Sequence, residues 1–401
     1  MPRRIICSIL FLIFSLMAFQ IAHAQAGVAF TELPPSYVFG DQITFQARYT
    51  ASASAREATI TFQAEGSPNA VTDRAEIAGD MLIYRFNVPA GSIRPFAGIG
   101  YRFTITFDDG GTAESPAYRF DYVDNRYPWQ TLEDELVRIH WYAGDVNGFG
   151  QKAFDVAHIA LQKINRIIPV ALSEPADIYI YASGADLQSA LNSSGQIWVA
   201  GHTNPDLGVM MISIAPGPEQ GLEMERQIPH ELGHILLYQS AREKYFNLPA
   251  WLREGISTNV EFTPNPDHAR ALKVAAQDGK LIVLGDLCTA FPLDASGAFL
   301  AYAESASFTQ YIVDHYGNTG LFKLINAYGD NLDCEQGAAR ALGEPLSVIE
   351  NNWRKEALGE NPGLTALENM SPFILILVVV LIAPLWQAFA INRKKDGAQR
   401  K

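Results

Sequence analysis

The stretch QIPHELGHILLYQ, residues 227–239, puts His230 and His234 four positions apart, with Glu231 directly after the first. On an α-helix, residues i and i+4 stand one above the other on a single face. Both imidazoles can therefore aim a nitrogen at one point, which suits them to clamp a metal ion. Glu231 falls about a quarter-turn away, beside such an ion rather than on it, where its carboxylate can take a proton. Ile228, Leu232, Ile235 and Leu236 supply an apolar stripe to bury. Pro229 lacks the amide proton of an interior helical position, so it either starts the helix or kinks it.

Two imidazoles do not complete a metal site, and a third ligand is needed. A metzincin arrangement is excluded, because Leu237 and Ser240 stand where it needs glycine and histidine. The segment LPAWLREGISTNVE, residues 248–261, reads as a second helix with Pro249 at its start and offers Glu254 as a carboxylate. A helix, a loop and a returning helix can bring Glu254 opposite the two histidines. Asp267 and His268 form a competing pair that no motif frames, and they read as a solvated helix start. His202, in a Gly- and Pro-containing segment ahead of a strand, is either a cleft-shaping residue or an ordinary turn histidine. His140, His158 and His315 read as structural.

The order HELGH followed by PAWLREGIS is similar to the gluzincin metallopeptidases of the peptidase MA clan, and most of all to the "peptidase MA-like" exported bacterial proteins. The resemblance covers roughly residues 130–358 and includes AYAESASFTQYIVDHYG and ALGEPLSVIENNWRKEAL. It implies a zincin-like catalytic domain holding one zinc ion through His230, His234 and Glu254, with Glu231 as the catalytic base acting on a peptide or protein substrate. Tyr302 is the candidate donor to the developing oxyanion, with packing into the helical core as its alternative; Tyr311 reads as core. The aminopeptidase branch carries a G-x-M-E-N segment that QGLEMERQIPHE does not match, so aminopeptidase activity of that kind is not expected. The rival reading is a non-catalytic zinc-containing scaffold or peptide-binding surface protein.

Outward from this region the chain changes character. Between residues 40 and 123, short runs such as ITFQARYT and YRFTITFDDGG alternate apolar and polar residues, ending in Gly, Pro, Asp or Ser punctuation. They predict an all-β immunoglobulin-like sandwich, or alternatively a small barrel. The expected fold class is α+β, with this β domain over 25–123 and a linker and start of the catalytic domain over 124–148. The metallopeptidase domain follows over 149–358, mostly helical in its C-terminal half. Within it, helices are expected over 149–168 and near 185–191, and strands over 177–183 and 208–214.

The ends predict topology. Arg3-Arg4, an apolar run and Ala22-His23-Ala24 read as a signal peptide over 1–24. After a juxtamembrane linker (359–370), residues 371–391 carry no charge and read as a single C-terminal transmembrane helix. The basic tail 392–401 would lie in the cytoplasm. The expected location is thus the cell membrane, single-pass type I, with the N-terminal domains extracytoplasmic. In such an oxidising compartment Cys288 and Cys334 are expected to pair, the alternative being two buried thiols. The net charge of −13 opposes phosphate backbones, so nucleic acid is not an expected partner.

Overall fold

Strand alternation builds the first part of the chain. The computed structural model describes residues 27–191 and 201–359, with helical positions between 370 and 382. Two compact units divide between Pro128 and Trp129, with 188–191 grouped with the first.

In the first unit, eight strands form one antiparallel sheet: β1 (Ala29–Val38), β2 (Gln42–Thr50), β3 (Ala55–Ala64), β4 (Val71–Ala78), β5 (Met81–Asn87), β6 (Gly98–Phe107), β7 (Thr112–Glu114) and β8 (Tyr118–Asp121). Their order is β1-β2-β5-β4-β3-β6-β7, with β8 also on β6. This corrects the expected sandwich of two separate sheets, and the physical reason is β4. Its first residues pair with β3 and its last three, from Glu76 to Ala78, pair with β5, so one strand hands the ladder across and the sheet is continuous. The sheet then curls over into a half-barrel. Phe45 of β2 packs 5.0 Å from Phe62 of β3 and 5.1 Å from Tyr101 of β6, strands that are not its neighbours in the sheet. β4 has no buried residue, and its period-two alternation is confined to Ala75 and Ile77, half-buried between exposed neighbours. β1 carries Pro34 and Pro35 at a register break on the sheet edge, where a missing amide costs least.

The second unit opens on a five-stranded mixed sheet. Its strands are β9 (Gln130–Glu133), β10 (Val137–Trp141), β11 (Ala176–Tyr181), β12 (Gly201–Asn204) and β13 (Val209–Ser213), in the order β12-β13-β11-β10-β9. β10, β11 and β13 run parallel, while β9 and β12 are antiparallel edges. Helix α1 (Gln151–Ile167) follows β10 and buries Ala153, Val156, Ala157, Ala160, Leu161 and Ile164; α2 (Gly184–Leu191) follows β11. The rest is helical: α3 (Gln220–Ala241), α4 (Ala250–Asn259), α5 (Pro266–Gln277), α6 (Ala295–Gly329), α7 (Cys334–Leu342) and α8 (Leu346–Glu356). α6 breaks at Gly317, whose φ of 66° suits a residue without a side chain. Cys288 and Cys334 are joined by a disulfide, with Cα atoms 6.4 Å apart.

The expected transmembrane helix is corrected. Among the described residues no helix is long and apolar enough to cross a membrane. The rest of 371–391 and the basic tail lie outside the described residues, as does the expected signal peptide. The single-pass, type I placement that rested on this helix is withdrawn with it.

Candidate metal centre

Pro229 lies in the interior of α3, not at its start. A proline there cannot donate to the carbonyl four residues back, that of Glu225, which is left free to accept another bond. The Phe262 N–H donates to it at 2.9 Å. This bond ties the chain just beyond α4 to α3. Lys163 on α1 secures the same segment, donating to the carbonyls of Val260 at 3.0 Å and Glu261 at 2.7 Å.

Close helix packing then assembles the centre. A Cβ on Gly233 of α3 would come within 3.2 Å of the Ser257 Cα on α4, and a Cβ on Gly255 of α4 would lie 2.9 Å from the carbonyl carbon of Ser305 on α6. Only glycine allows both approaches. They let α4 present Glu254 to the histidine pair, with Glu254 Oε2 3.4 Å from His230 Nε2 and 3.5 Å from His234 Nε2. Tetrahedral zinc with bonds of about 2.0–2.1 Å separates its donors by roughly 3.3 Å, so the spacing of these side chains fits that ion. Among the described residues, His230, His234 and Glu254 are the group of three whose ligand atoms lie within 4.8 Å of one another.

The outward nitrogens of both histidines are also engaged. His230 Nδ1 pairs with Glu261 Oε1 at 3.1 Å, and His234 Nδ1 meets the Tyr245 hydroxyl at 3.0 Å. Such partners fix ring orientation and leave Nε2 for a metal. Burial alone would lower the His230 pKa, but its bonds to Glu254 and Glu261 outweigh this and hold it well above the usual imidazole value in the metal-free protein. Burial would likewise raise Glu254, but the two imidazoles hold its carboxyl far below the usual range.

Glu231 is buried beside this group. Thr203 of the edge strand β12 donates its hydroxyl to Glu231 Oε2 at 2.5 Å. A Cβ on Gly201 would come within 2.9 Å of the Glu231 carboxyl carbon and closer still to Oε1, so the carboxylate occupies space that this glycine leaves. A cavity of about 390 Å³ opens over the site, lined by His202, Glu231, Arg253, Glu254, residues 289–293 and Tyr302 among others. Tyr302 stands edge-on to His230, ring centroids 6.0 Å apart. Burial, then the charges of Glu254, Glu231 and Glu261, raise its hydroxyl pKa well above the usual value, keeping the proton on.

The remaining candidates lie apart from the His230, His234 and Glu254 group. His268 lines an adjoining cavity against Phe299, while Tyr311 bonds Glu356. His140, His158 and His315 each face a carboxylate, from Asp177, Asp134 and Glu356 respectively. Sequence reasoning missed Glu261, Tyr245, Thr203 and Gly201. Glu261 lies just beyond the end of α4 at Asn259, so helical periodicity from Glu254 does not reach it. Tyr245, Thr203 and Gly201 have no periodic relation to the motif and are brought in by tertiary packing alone.

The chain belongs to the peptidase MA superfamily, whose family model matches residues 156–359, just over half of its 401 residues. It is therefore a peptidase-type enzyme carrying a His-His-Glu group able to hold a metal ion. None of the curated proteins matches the chain. Among solved structures it is similar to native yeast LTA4 hydrolase, at 13% identity over 83% of this chain and 67% of that one, with a TM-score of 0.38. A second structure, native leukotriene A4 hydrolase from Saccharomyces cerevisiae, gives 12% identity over 86% and 70%, with a TM-score of 0.33. At these scores neither fold nor activity carries over to this chain.

Proposed function

We propose that this protein is a zinc metallopeptidase of the gluzincin type, in which His230, His234 and Glu254 hold one zinc ion and Glu231 is the general base for peptide-bond hydrolysis. When bound, zinc supplies a Lewis acid toward the scissile carbonyl and lowers the pKa of a water molecule. Glu231 takes the proton at Oε1, the oxygen not engaged by Thr203. Tyr302, protonated and lining the cavity, donates to the oxyanion that develops on the substrate. Glu261 and Tyr245 hold the two imidazoles in position throughout.

The seating of Glu231 carries this reading. A scaffold that merely held a metal needs no buried carboxylate beside it, gripped by Thr203 and accommodated by a glycine at 201. The test is Glu231→Gln, measured for zinc content and for cleavage of a peptide library. The substituted protein should keep about one zinc per chain and lose roughly 10²- to 10⁴-fold in turnover. Turnover at the unsubstituted rate would sink the proposal.

A further inference from the structure

The wall of the cavity holds a cation that the hydrolytic machinery does not use. Arg253 lies in the first turn of α4, one residue before Glu254, and lines the same 390 Å³ space. Its guanidinium sits over the ring of Tyr245, with Cζ 5.3 Å from the centroid. Its Nε is buried without a hydrogen-bond partner, and among the described residues no carboxylate lies within 4.0 Å of it. A guanidinium without a carboxylate partner keeps its full charge, and its planar fork matches a carboxylate better than any neutral group. The positive end of the α4 dipole acts in the same direction.

The charges along this wall sharpen the case. Glu231 and Glu254 are the carboxylates lining the cavity, and a bound dication offsets both. Arg253 is then the uncompensated charge, so the cleft is locally cationic in a chain of net charge −13. Stacking on Tyr245, which itself meets His234 Nδ1, holds the guanidinium at a fixed place relative to the metal ligands.

The geometry points to Arg253 as a specificity-determining residue that binds a carboxylate of the substrate, either an acidic side chain or the C-terminus of a peptide. This rests on the metallopeptidase reading for the identity of the ligand as a peptide. A carboxylate there pairs with a guanidinium charge that no carboxylate of the described residues neutralises, and selects acidic or C-terminal segments despite the overall negative charge of the protein.

The test uses the zinc-loaded full chain carrying Glu231→Gln, so that binding is read without turnover. The probes are N-acetyl hexapeptide amides with one glutamate scanned through each position, their glutamine counterparts, and the glutamine peptide with a free C-terminus. At least one carboxylate-bearing probe should bind tenfold or more tightly than its neutral partner. Adding Arg253→Gln should erase that difference, while Arg253→Lys, which keeps the charge but not the fork, should retain part of it. A preference for the internal glutamate identifies an acidic side chain as the source, and a preference for the free C-terminus identifies a terminal carboxylate. Equal affinities, no measurable binding, or a preference that survives Arg253→Gln would each overturn the assignment. Hydrolysis of the same probes by the Glu231 protein is scored separately: a preference that depends on Arg253, without cleavage, upholds the carboxylate site and rejects the peptidase reading.

Discussion

Gly201→Ala separates the seating of the catalytic carboxylate from the metal site itself. The added Cβ would stand 2.9 Å from the Glu231 carboxyl carbon and 3.2 Å from its Cγ. Carbon atoms in ordinary contact stay about 3.5–4.0 Å apart, so the carboxyl must retreat by roughly 1 Å. It can do so by rotating the end of its own side chain, which leaves the fold nearly undisturbed. The three heavy atoms nearest the new methyl all belong to Glu231 rather than to His230, His234 or Glu254. A misplacement of about 1 Å in a catalytic group can cost on the order of 10²-fold, or about 2.7 kcal/mol in the barrier. The expected outcome is therefore a hundredfold loss of kcat/KM on a quenched fluorescent peptide, with zinc stoichiometry and melting temperature close to those of the parent protein. Activity within threefold of the parent would refute the role given to this glycine. A loss of activity that tracked a loss of zinc would show that the methyl disturbs the ligands instead.

The other predictions address the supports of the site and the core. Glu261→Gln removes the carboxylate from His230 Nδ1 and should weaken zinc binding about 10- to 100-fold in a competitive chelator titration. An unchanged dissociation constant would count against that support. Gly255→Ala drives a methyl against the backbone of Ser305, which cannot rotate away, so chemical unfolding should show a loss of at least about 1–3 kcal/mol; a neutral result would mean that α4 and α6 can part without cost. Glu304, buried in α6, is raised chiefly by burial to about 8 from 4.5. The folded protein thus keeps a proton that the unfolded chain sheds over that range. Its stabilising effect is complete below pH 4.5 and is lost as pH rises through 8, on the order of 4 kcal/mol by then. Glu304→Gln should flatten this slope in melting experiments between pH 5 and 8, and an unaltered slope would mean that Glu304 does not titrate there.

The grouping of His230, His234 and Glu254 was legible because its spacing is written locally. The i, i+4 spacing puts His230 and His234 on one face, and the start signal at Pro249 announces the helix that carries Glu254. The N-terminal unit was legible only in part. Alternation identifies strands with one buried face, but it says nothing about which strands pair. β4, with no fully buried residue and only Ala75 and Ile77 half-buried, gave a weak signal although it is the strand that makes the sheet continuous. The uncharged run at 371–391 was read from composition, which reports that a segment tolerates lipid; among the described residues no helix is long and apolar enough to cross a membrane.

Pro229 shows most directly why part of the site could not be read from its motif. Judged within α3 alone, a proline one residue before His230 is a defect that costs a hydrogen bond. In the folded protein, the carbonyl it releases at Glu225 is where the Phe262 amide docks, and Phe262 immediately follows the glutamate that holds His230. The residue that weakens α3 therefore supplies the anchor for His230's partner. That benefit appears only once the chain beyond α4 has returned to α3, a long-range contact on which local periodicity is silent. A Pro229→Ala change would restore a competing donor for the Glu225 carbonyl, so the hydrogen bond regained within α3 would come with a less firmly held Glu261.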